Sequence, residues 1–528
     1  MNIVRLTEVE DSVISSNNGL KVYLNNLVHG RPETPRSWLY EGKDADQILR
    51  DWMTQLESVK SFPHGDLVFQ FDTAQLSKWG PQGKVAPLNE LMDIVTRGFK
   101  KPEKPTAFSS PEWQQAKANV IADLLKANGL YHTLRPRGYK AVLDDMSTRD
   151  TLESNSGWPL FTRRKSVSAV QHAIADAKSG AYLTQPAIAL FRNYNAKTRL
   201  VWMYPMATNL QEGRFTQPLK EALTRHTDLH FIDPWRGYNA VKSTLTDTYE
   251  SGACIAASDF AFTDEHFTRY ITLEVFDVIK HAFQPQYWDE LKESMLHINK
   301  IPLIVSPTQK VVGWHGVSSG SNWTNDIETY FDRILAEYIK ILQATKYKPL
   351  MAIGDDMSHE LIQYSPEFAA FLEKVGLDVG MEIKAEKTTN EPNWVKFLQR
   401  LTIRGVYSEY RDLGKRVLRG IYPTVRALNS SVYPEKFHSP KKWSKELFAC
   451  RQFMILENTV DHYLFKQFVA FVVKGNPYLK QFAKLKASKL DAIQREAKLL
   501  PGLNPTFNQE KRDSRLSEFE SIKYAKTL

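Results

Sequence analysis

The chain is nearly free of cysteine. Cys254 and Cys450 are the only two among 528 residues. Neither stands in a C-x-x-C pair, which argues against a disulfide framework and against a zinc site. Such usage suits a reducing compartment. Long apolar runs are missing too: Phe468 to Val473, the longest near the C-terminus, is far too short to span a bilayer. The opening Met1-Asn2-Ile3-Val4-Arg5 lacks the apolar core of a signal peptide. The sequence therefore reads as soluble and intracellular. No internal repeat or low-complexity tract is visible. A P-loop is also absent, because Gly80-Pro81-Gln82-Gly83-Lys84-Val85 is too short between its glycines and has no Ser or Thr after Lys84. Charge of one sign is in small excess: 69 Lys and Arg against 60 Asp and Glu give +9. That permits a polyanionic partner without requiring one.

What remains is ample material for a globular fold, with 42% hydrophobic and 12% aromatic residues. The length calls for several packed subdomains rather than one core. Up to about Ala253, short helical patterns alternate with loops and basic clusters. From 254 to 395, strand-like and helix-like segments alternate. Beyond 400 the pattern is mostly helical, and Pro501-Gly502-Leu503-Asn504-Pro505 is expected to turn off a charged tail. Cys254 to Ser258 predicts a strand ending at Asp259. Ile327, Phe331, Ile334, Leu335, Tyr338 and Leu342 recur at helical spacing, so Thr324 to Leu342 predicts a helix with Ser319 and Gly320 at its start. Leu350 to Ile353 predicts a strand running into a tight turn, Gly354-Asp355-Asp356. Pro366 to Val375 predicts a helix capped by Gly376.

The acids on these elements carry the chemistry. Asp259 at a strand end and Asp355 in a hairpin turn can face each other across a small sheet. Such oxygens can bridge two divalent ions about 3.5–4 Å apart, the arrangement that drives phosphoryl transfer. A Gly-Asp-Asp triplet alone is more simply a surface turn, and Ser319 alone is an ordinary helix N-cap. Their order along one chain is what these simpler readings do not explain.

That order resembles the viral RNA-dependent RNA polymerases. Asp259-x-x-x-x-Asp264 is similar to their motif A, Ser319-Gly320-x-x-x-Thr324 to motif B, and Gly354-Asp355-Asp356 to motif C. Upstream, the Asn155 to Lys165 segment, with Arg163, Arg164 and Lys165, resembles motif G. Arg192 to Trp202 resembles motif F. Downstream, Ala385-Glu386-Lys387-Thr388 resembles motif D and Phe397-Leu398-Gln399-Arg400 motif E. Gly316 to Asn325 and the compact length look most like double-stranded RNA viruses of the picobirnavirus kind, with partitiviruses the second choice.

The resemblance implies an α+β right-hand fold of fingers, palm and thumb, with a small antiparallel palm sheet and a mostly helical thumb. The implied organisation has residues 1–40 linking fingers and thumb, fingers in 41–255 with a return in 276–312, palm in 256–275 and 313–400, and thumb in 401–528. It implies RNA synthesis on an RNA template from NTPs, replicating and transcribing a viral genome with two Mg2+ or Mn2+ ions. Asp259, Asp355 and Asp356 would bind metal, and Lys387 would be the general acid, with Lys384 competing for that role. Asp264, Ser319, Gly320, Thr324 and Asn325 would meet the ribose. Glu328 stands where motif B usually carries Asn, and Asn325 is the alternative. Lys197, Arg199 and Arg192 would contact the triphosphate. Arg163, Arg164, Lys165 and Arg400 would contact RNA. Partners would be RNA and NTPs, with a viral capsid protein beyond them and no membrane, for a monomer in the virion interior and host cytoplasm. The competing readings are a reverse transcriptase, disfavoured by Gly354 and Asp264, and a non-catalytic RNA-binding or capsid-associated protein.

Overall fold

The computed structural model describes residues 2–99, 102–149, 151–410, 414–436, 443–500 and 514–528. The turn expected at 501–505 lies outside them. Among the described residues twelve strands are formed: β1 (Asn2–Arg5), β2 (Ala187–Tyr194), β3 (Lys197–Met203), β4 (Cys254–Ala261), β5 (Leu303–Ile304), β6 (Gln309–Val312), β7 (Tyr347–Ile353), β8 (Asp356–Leu361), β9 (Glu382–Ile383), β10 (Thr389–Glu391), β11 (Trp394–Phe397) and β12 (Arg400–Ile403). One sheet runs β1-β6-β5-β2-β3. A second runs β10-β4-β8-β7, with β9 also on β4, and β11-β12 is a separate hairpin. Short two-residue turns close three of these hairpins. Asn195 and Ala196 at φ 52° and 58°, and Leu398 and Gln399 at 49° and 64°, lie in the left-handed backbone region, which gives a turn that matches the right-handed twist of the paired strands.

Of the helices among the described residues, those that matter here are α1 (Ala45–Leu56), α2 (Gly65–Thr73), α3 (Met206–Thr224), α4 (Trp323–Gln343), α5 (Phe368–Asp378), α6 (Thr424–Val432), α7 (Lys445–Glu457) and α8 (Glu520–Thr527). The α4 stripe is buried at Ile327, Phe331, Ile334 and Leu335, and its core includes Ala352, Met357 and Leu361 of the second sheet. At its far end Leu342 is 42% exposed, beyond the packed face.

Four expectations differ from this architecture. Gly376, expected to cap its helix, lies inside α5, which runs on to Asp378. β4 continues past Asp259 to Ala261, because β9 supplies partners: Phe260 faces Ile383 and Ala261 faces Glu382. Residues 41–73, expected in the fingers, pack against the C-terminal region. Ile48, Trp52, Leu56, Val68 and Phe71 join the C-terminal helical core around Val425, Phe453 and Phe468. Trp52 Nε1 donates to Thr424 Oγ1 at 2.8 Å. The buried Asp72 carboxylate accepts from the Thr424 and Val425 backbone N–H groups at 3.0 and 2.7 Å, capping α6 from a different element. The last residues are not a solvated tail: α8 buries Ile522 and Ala525 in the same core, and Glu457 of α7 accepts from the Glu520 and Ser521 N–H groups at its start.

The first residues span two cores. β1 pairs antiparallel with β6. Arg31 then donates to the Phe191 carbonyl at 3.1 Å. A few residues later the Thr34 hydroxyl reaches the Glu435 carbonyl, and Ser37 N–H reaches the Val432 carbonyl at 2.9 Å.

Candidate active site

The β4–β8 register pairs Asp259 with Asp356, and the β7–β8 register pairs Ile353 with Asp356. The chain reverses through Gly354 and Asp355, so Asp355 stands at the tip beside the other two acids. Glycine is required at the turn on two counts. Its φ is +59°, and a Cβ would sit 3.1 Å from Asn325 Nδ2 and 3.3 Å from Glu328 Oε2. The Gly354 N–H is fixed by the Thr329 hydroxyl of α4 at 2.9 Å, and the Thr263 hydroxyl donates to Asp355 Oδ2 at 2.9 Å.

Crowding of like charge shows in the titration. Burial, then repulsion from Asp355 and Asp259, pushes the Asp356 carboxyl up to about 8. Desolvation and Asp355 also raise Asp259, while Lys387 and Lys197 pull it back down. Beneath the turn, Asp332 of α4 is fully buried and neither of its oxygens has a hydrogen-bond partner. Burial, then Glu328, Asp355 and Asp356, hold its carboxyl well above the ordinary value. Acids raised by one another are suited to cations. Among the described residues no three such groups are gathered into a ready-made cage, so phosphates and water would complete any coordination.

The motif B residues divide between β3 and this turn. Ser319 Oγ donates to the Leu200 carbonyl at 3.3 Å, and Thr324 Oγ1 donates to the Ser318 carbonyl at 2.8 Å. Gly320 packs on β3 so tightly that a Cβ would lie 1.8 Å from the Trp202 carbonyl oxygen. The Asn325 side chain accepts from Trp235 Nε1 at 3.0 Å while its amide nitrogen faces Gly354. Glu328 is buried against the same glycine. The Asp264 side chain lies outside the described residues.

The basic residues divide. Lys197 and Arg199 are exposed on β3, and Lys197 acts on Asp259. Arg192 lies across the hairpin from Arg199, and it forms a two-point ion pair with Glu435 at 2.7 and 2.6 Å. In this structure it ties the hairpin to the C-terminal region. Arg163 and Lys165 are exposed and share Glu153, whose carboxyl the Lys165 hydrogen bond holds below its ordinary range. Arg164 turns inward and donates to Asn155 O at 3.0 Å and Asn209 Oδ1 at 2.7 Å. Arg400, expected to contact RNA, is turned inward. It is 8% exposed, donates to the Gly420 and Asn458 carbonyls, and lies over the Tyr238 and Tyr422 rings. Lys387 is exposed, whereas Lys384 pairs with Glu382 at 3.1 Å. Thr263, Thr329, Asp332, Glu212 and Glu435 carry no spacing signal in the sequence; only the fold brings them to the site or its supports.

Residues 194–417 match the family model described as viral RNA-dependent RNA polymerase, which spans the β2–β3 turn, all three acids and the β11–β12 hairpin. The chain is a viral RNA-dependent RNA polymerase. It is similar to a protein described as a potential RNA-dependent RNA polymerase of human picobirnavirus, with 24% identity over 498 residues, covering 87% of this chain and 85% of that one. Its fold is similar to the crystal structure of the RNA-dependent RNA polymerase of a human picobirnavirus, with a TM-score of 0.80 at 21% identity over 99% of this chain and all of that one. An insertion-loop deletion mutant of such a polymerase gives 0.79 at the same identity. The fold is thus the right hand, and the second sheet is the palm. Polymerases of this family use divalent metal ions, RNA and NTPs, and act in the virion or inside the host cell. No helix among the described residues is long and apolar enough to cross a membrane.

Proposed function

We propose that Asp259 and Asp355, with Asp356 in support, hold two Mg2+ or Mn2+ ions at the end of the palm sheet. The observation that carries this is the register that sets Asp259 against Asp356 beside the Asp355 tip. Such ions would sharpen the primer 3′-hydroxyl and neutralise the leaving pyrophosphate. The protein's own groups do the remainder. Lys197 and Arg199 neutralise the incoming triphosphate from β3. Asp264 and Asn325 read the ribose 2′-hydroxyl, with Ser319, Gly320 and Thr324 shaping the loop beside it. The 3′-hydroxyl releases its proton to solvent as its oxygen attacks the α-phosphorus, the bond to pyrophosphate breaks, and Lys387 gives a proton to the departing oxygen. Lys384 suits that role less, since its bond to Glu382 raises its pKa and makes it a poorer acid.

In this reading the fingers comprise the segments around 74–255 and 276–312, the palm 256–275 and 313–400, and the thumb 401–528 together with 41–73. The protein works as a monomer in the virion interior and host cytoplasm, with a capsid protein as its further partner. The test is NTP incorporation on a short unprimed RNA by the native chain and by Asp355→Ala. The variant is expected to make no product while unfolding no earlier than the native chain, because one repulsive charge has been removed. Product from both proteins overturns the assignment.

A further inference from the structure

The loop from Ser319 to Asn322 is held from outside the palm. One end leans on β3 through Ser319 and Gly320. The other end is held by α3. Glu212, 1% exposed, accepts from the Ser321 hydroxyl and, at 2.8 Å, from the Asn322 N–H. Asn209, one turn earlier, donates to the Gly320 carbonyl at 3.0 Å and to Glu212 at 3.1 Å. Its backbone carbonyl accepts from the Asn322 side chain at 2.9 Å, and Arg164 holds its side-chain oxygen at 2.7 Å.

The start of a helix leaves N–H groups without partners and carries a partial positive charge. α4 is 21 residues long, and the side chain of Asn322 at its cap makes no capping bond. The Glu212 carboxylate takes that place from another element. Burying an acid is costly unless its oxygens are bonded. Here burial raises the carboxyl to about 7, against the pull of Ser321, Asn322, Asn209 and Arg164. The chemistry at the palm acids does not use Glu212. What it fixes is the start of α4, whose first turns set Asn325 and Glu328 against Gly354.

We propose that Glu212 is a positioning residue for nucleotide selection, holding the 319–322 loop and the first turn of α4 in the setting that separates ribose from deoxyribose. This rests on the ribose-facing role given above to that loop. The test is single-nucleotide incorporation on a primed RNA, comparing each NTP with its 2′-deoxy counterpart. Glu212→Ala is expected to raise KM for NTP about tenfold and cut the preference for NTP about tenfold, with kcat changed by less than about threefold. Glu212→Gln keeps one acceptor oxygen and recovers most of the preference. Asn209→Ala loosens Gly320 and removes its own bond to Glu212 while sparing the Glu212 bonds to Ser321 and Asn322, and shifts the preference in the same direction by less. Should Glu212→Ala fail to fold, Glu212→Gln and Asn209→Ala decide. A preference unchanged in the folded variants, or kcat/KM falling equally for both sugars, overturns the inference. Activity surviving in Asp355→Ala would instead sink the site assignment, so the two failures are read separately.

Discussion

Gly354→Ala isolates the geometry of the catalytic turn. An alanine at φ +59° pays the left-handed penalty of about 1–2 kcal/mol. Its methyl would meet Asn325 Nδ2 at 3.1 Å and Glu328 Oε2 at 3.3 Å, so α4 or the turn must shift by a few tenths of an ångström. Misplacing reacting groups by about 1 Å costs about 10²-fold in rate, so a shift of this size should slow incorporation about tenfold. Gly180→Ala is the control. Gly180 also has positive φ, +80°, but nothing lies within 4 Å of the added Cβ, so only the backbone penalty remains. Urea unfolding should show both variants destabilised by about 1–2 kcal/mol, with Gly354→Ala the lower of the two. Single-turnover incorporation should fall only in Gly354→Ala. Equal rates in the two variants would refute the claim that contact with α4 sets the position of Asp355.

Other outcomes follow from the same structure. Without divalent cations, Asp356 holds its proton to about pH 8 in the folded state, against an ordinary 3.8. Its contribution to stability is then full below about pH 4 and is lost as pH rises towards 8. A cation replaces that proton, so the gain in Tm from MgCl2 should grow between pH 6 and pH 8, and a gain flat across that range would contradict the clustering of the acids. Asp72→Ala strips the cap from α6 and should cost about 3–5 kcal/mol in urea unfolding, since buried N–H groups lose a charged acceptor; a loss under about 1 kcal/mol would show the cap replaced by water. Arg163→Ala should lower the salt-dependence slope of RNA binding by about 1, whereas Arg400→Ala should leave the slope alone and lower stability, which filter binding and thermal unfolding measure together.

The sequence disclosed those parts of the site whose side chains are dictated by backbone geometry. Gly354-Asp355 reads as a turn because few residues accept that conformation, and α4 reads as a helix because its apolar side repeats. The order of the acidic and glycine motifs then points to one sheet. Arg400 and Arg192 were less legible. An arginine facing RNA and one folded onto two tyrosine rings look alike in a string, and so does one paired with Glu435 from 243 positions away. The packing of 41–73 is hard to read for a related reason. Adjacency along the chain suggests shared packing, but Trp52 and Asp72 find their partners in Thr424 and Val425. Glu212 was invisible for the plainest reason: a single acid on a helix has no period, and its purpose depends on which helix end it meets.

The leading segment between Arg31 and Ser37 is bound to the β2–β3 hairpin at one end and to the region around Val432 and Glu435 at the other. So few residues leave little slack between those anchors. Trimming the chain from its beginning would therefore unfasten two halves of the enzyme from each other rather than remove an idle leader, and any widening to admit or release a duplex has to come from movement elsewhere in the molecule.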